Sequence, residues 1–140
     1  MQTILVPCDG SANALRAVRY AANLAKRCPD TQLELLYVED PVRMHQFTHL
    51  SADQQKEIKE KDADRVLQEA RQMLMSEGVA YHEFIRTGAA ASEISLHACE
   101  AGCESIIMGT RGMSPIASVL IGSVATYTVH LSHVPVTLVK

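Results

Sequence analysis

Met108-Gly109-Thr110-Arg111-Gly112 and, after nine intervening residues, Gly122-Ser123 decide how this chain is read. The pattern is Gly-x2-Gly-x9-Gly-Ser. The run Glu104-Ser105-Ile106-Ile107-Met108 leads into it as a buried strand would, and Val124 to Ser132 leaves it at helical spacing. A strand that opens through glycines into a helix N-terminus is a geometry that binds phosphate. Glycines let the backbone approach an anion, and the unpaired N–H groups and the helix dipole hold it. A lone Gly-x2-Gly can be no more than a turn. Gly122-Ser123 at a helix start, with Ser123 expected to cap it, sharpens the signal. Pro115 restricts the segment between.

Working outward, the same strand-then-helix rhythm repeats. Thr3 to Val6 is a short aliphatic run ended by Pro7-Cys8-Asp9-Gly10-Ser11, a strand followed by a turn. Ala12 to Cys28 carries Leu15, Val18, Ala22 and Ala25 at helical spacing, and Pro29-Asp30 stops it. Leu33 to Val38 is nearly all apolar, as expected of a strand covered on both faces. Val42 to Leu50 shows no period and reads as a loop. Its His45 and His49 have a spacing that can bind metal on a helix, but no third ligand lies near. Ser51 is placed to cap a long charged helix that ends near Gly78. Val79 to Arg86 reads as a strand, Ala89 to Ala101 as a helix and Pro135 to Val139 as a terminal strand. His97 in that helix is read as surface or packing. Cys99 and Cys103, four apart, are expected on one helix face.

The resulting order, β-α-β-α-β-α-β-α-β with apolar strands, predicts an open parallel sheet with helices on both faces. Ligands in such sheets bind beyond the carboxyl ends of the strands, where strand order reverses. Two loops have suitable composition, Pro7–Ser11 and Gly109–Ser123. If their strands are neighbours, both loops face one crevice. Asp9 is then either a carboxylate on the crevice floor or a turn residue, since Asp-Gly-Ser is ordinary turn chemistry.

Composition narrows the partners. At 140 residues one domain is expected, residues 1–140. Thirteen Lys and Arg against sixteen Asp and Glu give a net charge of −3, and there is no Trp. Neither nucleic acid nor an anionic membrane is an expected partner. The longest apolar stretch, Ile116 to Leu131, is too short and too polar to span a bilayer. The N-terminus lacks a basic, cleavable leader pattern. The expectation is a soluble cytoplasmic protein. Cys8, Cys28, Cys99 and Cys103 form no Cys-x2-Cys pair, so they are expected to be reduced and packed.

The combination resembles the universal stress protein family, in its ATP-binding subclass. Gly109, Gly112, Gly122 and Ser123 match that family's Gly-x2-Gly-x9-Gly-(Ser/Thr) pattern at every spacing. Ile4-Leu5-Val6-Pro7-Cys8-Asp9-Gly10-Ser11, Leu36-Tyr37-Val38 and Pro135-Val136-Thr137-Leu138-Val139-Lys140 resemble its other segments. The likeness runs over essentially the whole chain. It implies a Rossmann-like sheet of five strands in the order 3-2-1-4-5. It implies ATP, ADP or AMP as ligand, with Mg²⁺ bridging phosphate oxygens. Pro7, Asp9 and the backbone of Val38 would hold adenine and ribose. Met108 and Gly109 would floor the site, and Gly112, Gly122, Ser123 and Val124 would cradle phosphates. The last strand, Pro135 to Val139, would pair across a two-fold axis to form a homodimer. Cys8 departs mildly from the family, whose members often carry Thr or Val there, and raises the prospect of thiol sensitivity.

Three functions fit these features. One is a nucleotide-binding stress-response regulator. A second is a slow ATPase or nucleotidyl-transfer enzyme. Against it, no Gly-x4-Gly-Lys-(Ser/Thr), Ser-Gly-Gly-x-Asp-Ser, His-x-Gly-His or Lys-Met-Ser-Lys-Ser motif occurs. Arg111 is the single cation within the glycine stretch, and no His or Glu there could activate water. A third is a redox-responsive interaction protein acting through its cysteines.

Overall fold

Strand β1 (Gln2–Pro7) buries Ile4 and Val6 on one face and Leu5 on the other. Side chains alternate along a strand, so apolar residues at successive positions require cover on both sides of the sheet. The computed structural model, which describes residues 1–111 and 121–140, meets that requirement. Five parallel strands lie in the order β3-β2-β1-β4-β5, with β2 at Thr31–Glu39, β3 at Tyr81–Thr87, β4 at Ser105–Gly109 and β5 at Val136–Val139. Helices α1 (Ala12–Arg27) and α3 (Ala52–Ser76) bring Ala17, Val18, Ala21, Leu67 and Leu74 against Ile4, Val6, Leu33, Leu35 and Ile107. Helices α4 (Ala90–Glu100) and α5 (Ser123–Leu131) cover the other face, with Ile94, Ala98 and Ala125 against Leu5, Leu36, Ile106 and Met108.

β1 is the centre of the sheet. It pairs with β2 from Gln2↔Thr31 to Pro7↔Leu36, and with β4 through Ile4↔Ser105 and Leu5↔Ile106. The chain therefore leaves β1 toward one edge and returns through β4 toward the other. The order 3-2-1-4-5 implied by the resemblance is the order observed.

Local chemistry sets the helix starts. Ser11 accepts from the Ala14 N–H, and Ser51 forms a reciprocal capping box with Gln54. Gly10 has φ +82, and a Cβ there would stand 3.1 Å from the Val66 carbonyl, so the turn after β1 needs glycine.

Three local expectations need correction. Part of the stretch expected as loop is a short helix, α2 (Pro41–His45), started by Pro41 and by the Asp40 side chain accepting from the Val42 N–H. Five residues cannot display a helical period, so only tertiary contacts reveal it. Arg43 is bidentate to Asp62 of α3 at 2.9 and 2.8 Å, and Met44 is buried. Cys103 does not share a helix face with Cys99, because α4 ends at Glu100 and the chain turns before Cys103, which is buried while Cys99 is exposed. Ser123 does not cap α5. Gly122 is the N-cap and Ser123 the first helical residue, with no side-chain cap bond.

Beneath α4 lies a buried polar pair. Glu34 of β2 is in hydrogen-bond contact with His97 Nε2 at 2.8 Å, and both are more than nine-tenths buried. The Cys103 thiol approaches the same carboxylate oxygen at 3.5 Å, and the Phe84 ring lies 4.7 Å from the imidazole. His97 is thus a packed residue, one of the two roles expected of it. Replacing it with leucine keeps roughly the volume and leaves the Glu34 carboxyl without its principal partner, a loss of about 1–3 kcal/mol. Urea denaturation of His97→Leu should show a lower midpoint at unchanged slope. An unaltered midpoint would mean the pair adds nothing to stability.

Candidate functional site

Because β2 and β4 flank β1, the turn after β1 and the turn after β4 stand side by side at the carboxyl ends of the strands. Between them a cavity of about 270 Å³ opens, at the small end of ligand-site volumes. Its walls include Pro7 and Asp9 from the β1 turn, Val38 from β2, Met108 and Gly109 from β4, and Gly122, Ser123 and Val124 from the start of α5. Eight of the nine residues singled out in the sequence are therefore neighbours around one space. The ninth, Gly112, lies outside the described residues, as does Pro115.

The cavity has two chemically different sides. One is apolar: Pro7, Leu36, Val38, Ile94, Met108 and Ala125. Leu36 and Ile94 were not anticipated from the sequence. Both were findable, since Leu36 lies two residues from Val38 on the same strand face and Ile94 one helical turn from Ala90, also in the wall. The other side is polar backbone. The first N–H groups of an α-helix have no carbonyl partner within it. α1, α2 and α3 answer this with a Ser or Asp side chain. Among the described residues α4 and α5 have no side-chain cap bond, and the first residues of both, Ala90 and Ser123, line the cavity. Two uncapped helix starts thus contribute partial positive charge to one space.

Asp9 and Arg111 are the charged residues in the wall among those described, and both are exposed. Asp9 is a turn residue that also stands in the cavity wall. One carboxylate oxygen accepts from the Ser11 N–H at 2.9 Å, holding the turn, while the residue stands at the cavity. Among the described residues no group of three His, Cys, Asp or Glu could hold a metal ion. His45, on α2, and His49, beyond it, are exposed.

A sequence profile of the universal stress protein family matches residues 1–140. The universal stress protein MJ0531 of Methanocaldococcus jannaschii is 31% identical over 141 residues, covering 98% of this chain and 81% of that protein. Among solved structures, the hypothetical protein MJ0577 superposes with a TM-score of 0.81 at 27% identity, over 99% of this chain and 95% of that one. A universal stress protein solved in complex with cAMP superposes with a TM-score of 0.76 at 26% identity, over 99% of this chain and 97% of that one.

The cysteines divide by environment. Burial pushes the Cys8 thiol, in the cavity wall, up to about 11. Burial, aided by the neighbouring Glu34 carboxylate, pushes Cys103 up to about 12. A thiol raised that far holds almost no thiolate near neutral pH, and the thiolate is the reactive form. The thiol sensitivity anticipated for Cys8 thus runs against its surroundings. Titration with an aromatic disulfide reagent at pH about 8 should find two fast thiols, Cys28 and Cys99, in the native protein and four after unfolding. Fast modification of Cys8 in the folded state, located by peptide mass, would contradict this.

Proposed function

This chain belongs to the universal stress protein family, and from that membership we propose that it is a single-domain adenine-nucleotide-binding regulator, with ATP and Mg²⁺ as its preferred ligand. One observation carries the proposal: a cavity at the strand-order switch with an apolar side for a base and an uncapped helix start for phosphate. The relative in complex with cAMP supports the adenine nucleotide class.

In this assignment Pro7 and the backbone of Val38 hold adenine, and Asp9 accepts from ribose with the oxygen that Ser11 does not occupy. Met108 and Gly109 form the floor. Gly112, Gly122, Ser123 and Val124 surround the phosphates, where backbone N–H groups replace the hydration of the anion. With a single carboxylate in the described wall, Mg²⁺ is held chiefly by phosphate oxygens and water rather than by a protein cage. Arg111 at the rim adds one cation toward the phosphate side. Among the described residues the wall supplies no His or Glu to activate water, which favours binding over turnover.

Titration calorimetry with MgATP is expected to give a dissociation constant below millimolar. Gly122→Val places a branched side chain where the anion approaches, and affinity should fall at least about tenfold, or about 1.4 kcal/mol. Equal affinity in the variant would remove the glycine stretch from the binding site. Phosphate release from MgATP that disappears in Asp9→Ala would move the assignment to an enzyme.

We further propose a cytoplasmic homodimer formed through β5. This strand lies at the end of the sheet, and its far edge has no partner among the described residues. The Pro135 carbonyl accepts from the Ile106 N–H and the Val139 carbonyl from the Thr110 N–H, so Val136 and Leu138 present their peptide groups to the open edge. An uncovered apolar edge invites pairing with a second copy. Light scattering should give twice the 15.3 kDa of one chain. Val136→Pro, which removes an outward N–H while sparing the β4 ladder, should give the monomer mass.

A further inference from the structure

Between the cavity and the end of β5 lies one buried amide that neither the glycine pattern nor the cavity wall accounts for. Asn13, in the first turn of α1, is more than nine-tenths buried. Its Oδ1 accepts from the Arg111 N–H at 2.6 Å, and the Thr110 hydroxyl reaches the same oxygen at 3.4 Å. Its Nδ2 donates to the Val139 carbonyl at 3.1 Å. That carbonyl also accepts from the Thr110 N–H at 2.9 Å. Only one orientation of the amide satisfies both an N–H and a carbonyl, so the network itself assigns which end is oxygen. One side chain on α1 therefore ties the first residues of the glycine stretch to the last residue of β5.

Gly109 completes the case. A Cβ on this residue would fall inside contact distance of Asn13 Oδ1 and stand 3.0 Å from the Asn13 backbone carbonyl carbon. The side-chain oxygen cannot swing aside freely, because the Arg111 N–H holds it. The first glycine of the pattern is thus demanded by the helix packed against it, whatever ligand enters the cavity. The turn after β1 is anchored to the same helix start. Asp9 accepts from the Ser11 N–H, and Ser11 accepts from the Ala14 N–H. Both turns that border the cavity are referenced to one turn of α1.

We infer that Asn13 is the positioning residue of the glycine stretch: it fixes where the chain leaves β4 toward the phosphate side and couples that point to the end of β5. The nucleotide part of this inference rests on the proposed function, while the positioning part stands on the ligand-free protein. The consequence is that events at the β5 edge and events in the cavity share a hydrogen-bonded junction. Burying the edge against a partner acts on Leu138, next to the Val139 carbonyl that Asn13 holds, and filling the cavity acts beside the Arg111 N–H that Asn13 also holds.

The test is amide hydrogen exchange on the ligand-free protein, followed by MgATP titration of the same variants. Asn13→Ala should speed exchange of the Arg111 amide by about tenfold or more and weaken MgATP by about tenfold, with the α3 and β2 amides unchanged. Asn13→Asp retains the acceptor and loses the donor. It should keep Arg111 protected while the Val139 carbonyl, having lost the Nδ2 donor, shows a shifted 13C resonance, a split that general destabilisation does not produce. Gly109→Ala should reproduce the fast Arg111 exchange in the wild-type background and have a smaller effect in Asn13→Ala, where the clash with Oδ1 is gone and only the 3.0 Å approach to the backbone of residue 13 remains. Arg111 exchange within twofold of wild type in Asn13→Ala overturns the inference. So does loss of Arg111 protection in folded Asn13→Asp, or additive effects of the two changes. If Asn13→Ala does not fold, Gly109→Ala and Asn13→Asp decide. If the exchange pattern holds but wild-type protein takes no MgATP, the positioning role stands and the proposed function fails.

Discussion

The structure depends on β1 being hydrogen-bonded in parallel to β2 on one side and β4 on the other. A parallel pair cannot be joined by a tight turn, so every connection must cross a face of the sheet with a helix. From β1 the chain builds outward to β2 and β3, then returns to the other side for β4 and β5. The turns that follow β1 and β4 are the two that no crossover covers between them. The cavity is a consequence of that reversal rather than of any particular side chain.

What lines the cavity follows from the same geometry. Strand residues near the switch, such as Leu36, Val38 and Met108, are apolar because they continue the core face on which α4 and α5 pack. The two helices that return over this face begin at the cavity, and both begin without a side-chain cap among the described residues. An apolar wall and N–H groups with no capping side chain among the described residues therefore meet where the sheet leaves a gap. That pairing of features suits a ligand with a flat, weakly polar end and an anionic end.

Buried polar groups mark where elements must keep their register. Glu34 and His97 join β2 to α4 within the second apolar layer. Near the end of β2, Glu39 is fully buried and its carboxylate oxygens find no hydrogen-bond partner among the described residues, with Arg43 Nε at 3.8 Å. Burial and the neighbouring Asp62 raise its carboxyl above the ordinary range, whereas the Arg43 guanidinium holds Asp62 below it. Arg43 so draws α2 onto α3, beside the strand whose Val38 lines the cavity. Asn13 performs the corresponding task on the opposite side of β1, across α1, β4 and β5.

The alternation of aliphatic strands with helical periods was enough to specify a parallel sheet covered on both faces, and residue pattern marked the turn carrying Asp9 and the glycines Gly109 and Gly122. These are local or periodic properties, written in consecutive residues. Pro7 and Val38 were marked as site residues by family likeness. Strand order came through family likeness and not from any periodicity, because neighbours in a sheet are chosen by packing. Three things were decided only in three dimensions. α2 is too short to show a period and exists through Arg43 and Asp62. Ser123 yields the cap position to Gly122, leaving the helix start open to the cavity. Asn13 looks like an ordinary first-turn residue until it is seen 2.6 Å from a peptide group 98 positions along the chain, and contacts at that separation depend on how the sheet closes, not on the residues beside it.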